Sequence, residues 1–209
     1  MDERKSIINS KYELRDLGFA TRFLNIDIQR NRETRELQIS MMSYIEKIVS
    51  KFNLQHANIP RVPLTGKQLF PCDGVVTPQE MNYCQQRIGK LIYPAVVLRP
   101  DILYAAAMLR KFNKNPGPEH KREADHVIAY LSGTKNLGIQ YNGYTQLDKS
   151  ILAASDASFA DEYSWRSTQG YLIKLFGGPI AWQSTLQYTI VLSSTEAKII
   201  AFLQLVESC

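Results

Sequence analysis

The sequence predicts an α+β protein: a β-hairpin and a helical region, followed by a β-β-β-α unit. Three observations carry this. Residues 21–40 alternate polar and apolar side chains around a charged break. Apolar residues recur at helical spacing between Tyr44 and Phe52, and in three further stretches between Thr77 and Gly133. From Ile151 onward the texture changes to short strand-like runs that end in one last helical stripe.

Thr21 to Gln29 places Leu24, Ile26 and Ile28 on one face, and Leu37 and Ile39 do the same after the polar run Arg30–Arg35. The pair is read as a β-hairpin. Tyr44, Ile45, Ile48, Val49 and Phe52 then predict an amphipathic helix. From Asn53 to Thr77 the periodicity lapses, and Pro60, Pro63, Pro71 and Cys72-Asp73-Gly74 mark a linker or extended loop. Thr77-Pro78-Gln79-Glu80 is a capping box with proline at the first helical position, so a helix starts there, with Ile88, Leu91, Ile92 and Ala95 on one side. Pro100 opens a second helix with the stripe Ile102, Ala105, Ala106 and Leu109. A third follows Asn115-Pro116-Gly117-Pro118, burying Ala124, Val127, Ile128 and Leu131 and turning Glu119, Lys121, Arg122 and Glu123 outward, and Gly133 stops it.

After a polar break at Asn142-Gly143 and Asp148-Lys149, strands are expected at Ile151–Ser155, Gly170–Phe176 and Ile180–Leu192, the last bent around Ser184–Gln187. Gly177, Gly178 and Pro179 form the turn between the second and third. Thr195 to Val206 is helical, with Ile199, Ile200, Leu203 and Val206 on the apolar side.

Composition narrows the function classes. Hydrophobic residues make up 44% of the chain and charged residues 22%, the balance of a globular protein. No run of eighteen apolar residues exists, so no membrane span is expected. Met1-Asp2-Glu3-Arg4-Lys5 lacks the apolar core of a signal peptide, and the expected location is intracellular, cytoplasmic or nuclear. The three cysteines form no C-x-x-C pair and have no histidine at metal-ligand spacing, so reduced thiols are expected. The net charge of +5 is uneven: residues 1–60 carry +2, residues 61–150 carry +5 and residues 151–209 carry −2. A basic middle suits a polyanion and an acidic end suits a cation, although ordinary solvated surfaces reach the same values.

A set of short motifs, in order from about residue 12 to the C-terminus, is more specific. It comprises Asp16-Leu17-Gly18 with Phe23-Leu24-Asn25-Ile26, Tyr44-Ile45 with Phe52, Arg87-Ile88-Gly89-Lys90-Leu91-Ile92-Tyr93, and Arg99-Pro100-Asp101-Ile102. It continues with Asn115-Pro116-Gly117-Pro118-Glu119-His120, Tyr130-Leu131, Gly133-Thr134-Lys135, Leu137-Gly138, Ser155-Asp156-Ala157 and Arg166-Ser167-Thr168-Gln169-Gly170-Tyr171. Pro179-Ile180-Ala181-Trp182-Gln183-Ser184 and Leu192-Ser193-Ser194-Thr195-Glu196-Ala197 complete it. Each piece is weak alone; the ordered set resembles the Pol polyprotein of copia-type LTR retrotransposons.

The resemblance implies two regions: a reverse transcriptase thumb or connection region over residues 1–145, and a truncated ribonuclease H-like domain over residues 146–209. The family copies RNA into DNA and degrades the RNA of RNA–DNA hybrids. Its polymerase metals sit on a Tyr-x-Asp-Asp turn upstream of the "DLG" segment, and these 209 residues contain no such turn. Its ribonuclease H uses four carboxylates to hold two Mg2+ or Mn2+ ions. By resemblance the first ligand is Asp156, which read alone is also an ordinary strand-end aspartate. The second is a helix glutamate placed just before a large apolar residue, with alanine two positions on. Ile199-Ile200-Ala201 fits that frame and puts Lys198 at the ligand position.

Glu196 cannot simply substitute, because residues two apart on a helix point to different sides. Its expected role is in the capping box Ser193-Ser194-Thr195-Glu196, bonding back to the backbone of Ser193. Lysine in place of glutamate changes the local charge by two units, and its ammonium is expected to occupy the metal's place. The third and fourth ligand positions of the family fall beyond Cys209, so one of four ligands is expected and the metals are not expected to bind productively. Strand Ile151–Ser155 is expected to have an open edge, and the last sixty residues to need docking on the helices or on another chain. The leading expectation is thus a polyprotein fragment without catalysis. A second is an RNA–DNA hybrid-binding module using Arg99, Arg110, Lys111, Lys114, Lys121 and Arg122, whose bland counterpart is a set of solvated helix faces. A third is half of a ribonuclease H completed by missing polyprotein segments or another chain.

Overall fold

The computed structural model describes residues 8, 12, 18–72, 74–142, 151–160 and 165–208. Asp16 and Leu17 of the first motif, Asp73, the Gly143 and Asp148-Lys149 break with the expected 145/146 boundary, and Cys209 lie outside these residues. The architecture is α+β, with two antiparallel sheets and interspersed helices. One sheet has the order β1 (Arg22–Phe23), β2 (Ile26–Asn31), β3 (Glu36–Ser40), β4 (Ile139–Tyr141). The other has the order β5 (Ile151–Ser158), β6 (Thr168–Leu175), β7 (Gly178–Leu186).

The first strand region departs from expectation. Leu24 and Asn25 both have positive φ, so the run 21–29 folds back on itself, with Phe23 opposite Ile26. This turn breaks the alternation, and Leu24 is exposed instead of sharing a face with Ile26 and Ile28. The β2–β3 hairpin forms as predicted, and β4 joins it from a hundred residues away through Leu37↔Tyr141 and Ile39↔Ile139.

The helices are α1 (Met42–Lys51), α2 (Pro78–Val97), a 3-10 turn at Pro100–Ile102, α3 (Leu103–Lys111) and α4 (Pro118–Gly133). Thr77 caps α2 in a reciprocal capping box with Glu80, as its sequence predicts. The predicted stripes meet in one core that includes Ile45, Ile48, Ile88, Leu91, Ile102, Leu109, Val127, Ile128 and Leu131. Segment 53–77 is no free linker, because Leu54, Leu64 and Leu69 pack on this core. The Thr65 hydroxyl and backbone N–H donate to Glu123, which is therefore buried and not on the solvent face of α4. Arg87 is buried too, donating to Asp125 at 2.5 Å with its guanidinium 3.4 Å from the Tyr83 ring centroid.

A smaller core of Met41, Leu98 and Ile139, with Trp182 against it, joins the helices to the second sheet. The Trp182 indole N–H donates to the Ala95 carbonyl at 2.9 Å, and the Tyr141 hydroxyl donates to Pro179 at 2.8 Å. Phe176 and Gly177, both at positive φ, form the β6–β7 turn. Gly178 belongs to β7 instead, where a Cβ would lie 2.7 Å from the Tyr141 ring. β5 and β6 start or end a few residues away from the predicted positions, and β7 stops at Leu186, before the predicted Leu192. The register shift in β6–β7 falls at Ile173/Lys174, away from Ser184–Gln187.

The final helix α5 (Ser194–Ser208) is rotated from the predicted orientation. Ala197, Ala201 and Leu205 face the sheet, whereas Ile199, Leu203 and Val206 are each 55% exposed. Small residues win the inward face because a helix lying close to a sheet leaves little room between the two backbones. Hydrophobicity alone selected the wrong side.

Candidate active site

β5 pairs with β6 over eight positions without a break, and Asp156 stands opposite Gly170, which in turn stands opposite Ser184 on β7. These residues lie on the face of the second sheet turned toward α3. With Ala154, Ser158, Leu172 and Tyr104 they line a groove of about 490 Å³. Its floor is small because a Cβ on Gly170 would meet the Gln183 carbonyl oxygen at 2.9 Å.

α5 packs on the opposite face. The start of the helix is fixed by Ser193, whose hydroxyl accepts from the Glu196 N–H at 3.1 Å. The Glu196 carboxylate accepts from the N–H of Leu192 at 3.0 Å, one residue earlier than predicted. The capping role of Glu196 explains its position, and leaves Lys198 on the flank nearest β5. The Lys198 ammonium lies 3.5 Å from a carboxylate oxygen of Asp156, with the two side chains 62% and 81% exposed. The two residues singled out from sequence are therefore brought together across the sheet edge.

A glutamine relay that the sequence reading missed holds α5 in this register. Gln187 donates to Gln169 at 3.0 Å and to the Ala197 carbonyl at 2.8 Å. Gln169 donates to Gln204, and Gln204 to Gln183 at 2.6 Å. Gln169 and Gln187 are buried, so these bonds are sheltered from water. The available signal was glutamine at alternate strand positions, Gln169 in β6 and Gln183 in β7, with Gln187 just beyond it, where apolar residues would be usual.

The basic residues do not form one stripe. Arg99 is a correction: it is 2% exposed, forks onto Asp101 at 2.9 and 2.7 Å and donates to the Thr134 carbonyl at 3.0 Å, so it cannot reach a phosphate. Arg110, Lys111, Lys114, Lys121 and Arg122 are exposed. Arg110 lines a second cavity of about 330 Å³ that adjoins the groove through Tyr171, Gln183 and Ser184. Lys121 stands elsewhere, 4.3 Å over the Tyr83 ring, beside a cavity lined by Cys72, Cys84 and Pro116.

A divalent cation needs several oxygen donors of negative charge. Among the described residues the groove offers one carboxylate, with an ammonium beside it, and these residues do not fit such an ion. Among the described residues no group of three or more His, Cys, Asp or Glu is placed to hold a metal. Nor is any helix of the described residues long and apolar enough to cross a membrane.

Comparison with known proteins agrees with the motif order. The chain is 33% identical over 207 residues to a retrovirus-related Pol polyprotein from transposon TNT 1-94 of Nicotiana tabacum, an alignment covering 94% of this chain. It is 30% identical over 202 residues to a putative transposon Ty5-1 protein of Saccharomyces cerevisiae, covering 95% of this chain. The chain is homologous to copia-type retrotransposon Pol polyproteins across most of its length. It spans 15% of the length of the tobacco polyprotein and 64% of the yeast protein. A secreted RxLR effector protein of Plasmopara viticola is 39% identical over 117 residues, covering 54% of this chain and 80% of that protein. No family model matches the chain, and no solved structure matches it significantly.

Proposed function

We propose that this chain is the junction of a copia-type Pol protein, with a reverse transcriptase thumb or connection region over residues 1–145 and a ribonuclease H-like region over residues 146–209. In this reading the ribonuclease H position is catalytically silent. The observation that carries it is the 3.5 Å pair between Lys198 and Asp156. Asp156 takes the place of the first metal ligand and Lys198 that of the second, so the pair supplies internally the positive charge that a metal would bring. A carboxylate already neutralised by an ammonium has little attraction left for a hydrated divalent ion.

The test is cleavage of a labelled RNA–DNA hybrid in Mg2+ or Mn2+. No metal-dependent product is expected. Cleavage that disappears in Asp156→Asn would establish a working nuclease and overturn the proposal.

A second reading, retention of RNA–DNA hybrid without cleavage, is favoured by one observation. Exposed Arg110 lines the cavity that adjoins the groove, which places a cation beside the Asp156 face of the sheet, as a phosphate contact there requires. Arg110, Lys111 and Lys114 are its phosphate contacts, with Lys121 and Arg122 on a separate surface. Affinity that falls with added salt, with a shallower slope in Arg110→Gln, supports this reading; salt-independent binding or none overturns it.

A further inference from the structure

The cavity between α3 and the second sheet differs from the Asp156 groove in what lines it. On the helix side Ala95, Leu103, Ala106 and Ala107 offer only hydrocarbon, and the short alanines leave a volume of about 330 Å³ unfilled. Ala95 and Ala106 belong to the main helical core, so this wall is rigid. On the sheet side, strand alternation turns Trp182 and Ser184 into the cavity, while Gln183 between them accepts from Gln204 on α5. The bond from the Trp182 indole to the Ala95 carbonyl fixes that ring against α2. The space is therefore built by the fold before any ligand arrives.

One charge faces this apolar space. Arg110 is the single charged side chain among the described residues that line it. It is exposed, and among the described residues its guanidinium has no carboxylate, carbonyl or aromatic partner. Arg87 and Arg99, by contrast, are buried on carboxylates and committed to the fold. The place of Arg110 in the last turn of α3 suits a cation, but that interaction uses none of its side-chain N–H groups. No acidic side chain of the described residues lines the cavity to repel an anion.

We infer that this cavity binds a small apolar anion, a compact aromatic or branched body bearing one carboxylate or sulfonate. The body is sheltered between the helix alanines and Trp182, and the anionic head meets Arg110 on the solvent side. The planar fork of arginine matches such a head in both shape and charge. The volume lies near the lower end of the range of about 300–1,000 Å³ found for ligand pockets, which suits a small molecule and not a polymer. The site is thus separate from hybrid retention in the groove, although both readings use Arg110.

The probe is anilinonaphthalene sulfonate, an aromatic anion that fluoresces when its rings leave water, titrated into the full chain. Phenylnaphthylamine, a similar ring system without the sulfonate, is titrated beside it. Saturable binding of the sulfonate at one site per chain is expected. Arg110→Gln should weaken it about tenfold, the scale of one charge-assisted hydrogen bond, and leave the uncharged dye unaffected. Because Arg110 is exposed, this variant tests the charge without disturbing the fold. Ala107→Leu fills the cavity and should weaken both dyes at least about tenfold with an unchanged circular dichroism spectrum. Naphthoate should compete for the site, and inorganic sulfate at the same concentration should not. Phe202→Lys, at an exposed apolar residue of α5, should leave both dyes unaffected.

Absence of saturable binding, or binding unchanged in both cavity variants, would overturn the assignment. Loss confined to Phe202→Lys would place the dye on α5 and overturn it equally. Equal weakening of the two dyes in Arg110→Gln would refute an anionic guest, and competition by sulfate would refute an apolar one. Ala107→Leu keeps Arg110, so hybrid affinity should persist in the variant that loses the dye. Hybrid affinity missing from the native chain would refute hybrid retention alone and leave the cavity standing.

Discussion

Replacing Lys198 with glutamate tests directly whether the ammonium stands in for a metal. At 3.5 Å two unit charges interact by about 1.2 kcal/mol at the dielectric of water. Because both side chains are more than half exposed, the native pair itself contributes no more than about 0–1 kcal/mol. The introduced carboxylate would convert attraction into repulsion, a swing of about 2.4 kcal/mol before screening and side-chain motion, which reduce it to about 1 kcal/mol. In a chelator at low salt the Lys198→Glu variant should melt about 2–4 °C below the native chain, the shift per kcal/mol for a chain of this size. Two adjoining carboxylates, however, make a weak divalent site. With a Kd of about 1 mM, about 10 mM Mn2+ would stabilise the variant by about 1.4 kcal/mol and recover about 3–6 °C. The assay is thermal unfolding in chelator and in Mn2+, with ionic strength matched. The native chain should respond by less than about 1 °C on the same scale. An equal gain in both proteins would show that Lys198 does not exclude the ion. No gain in the variant would show that its charge alone does not block the site.

Three further outcomes follow from the same structure. Arg99→Met should lower stability by about 2–3 kcal/mol in urea titration, because it removes charge-assisted bonds to Asp101 and Thr134 from a buried site. Trp182→Phe loses the bond to the Ala95 carbonyl and should cost about 1–2 kcal/mol, read by the same titration. His120 is 2% exposed and accepts the Gly117 N–H at 2.8 Å on Nδ1. Burial holds its pKa below the ordinary histidine value of 6.5. The unfolded chain therefore binds this proton at higher pH than the folded one. Its contribution to stability is full above pH 6.5 and is lost as pH falls toward the depressed folded value. Denaturant midpoints in His120→Gln should fall less steeply between about pH 7 and 5 than in the native chain.

How much of this was legible in the sequence depends on the range of the interaction that decides each element. The helices α1 to α4 were readable because capping, proline placement and apolar spacing act within a few residues; the Thr77–Glu80 box is a local contract between neighbours. The β1–β2 turn was not, since Leu24 and Asn25 adopt positive φ without a glycine to announce it. β4 is decided by pairing with β3 across a hundred residues, and nothing in three residues could predict it. Arg99 and Glu123 were read as surface charges because charge usually means solvent; each is buried against a side chain or backbone group distant in sequence. The candidate site divides the same way. Lys198 and Asp156 stand out separately in the sequence, and the structure sets them 3.5 Å apart, a distance governed by the helix register. That register is fixed by Gln169, Gln183, Gln187 and Gln204, whose amides bond to one another only when the strands and helix are assembled. The same rotation that turns Ala197 and Ala201 inward carries Lys198 to within 3.5 Å of Asp156. A substitution that rotated α5, such as Gln204→Leu, should therefore separate Lys198 from Asp156, whereas Lys198→Glu should change the charge that meets Asp156 and leave the glutamine bonds in place.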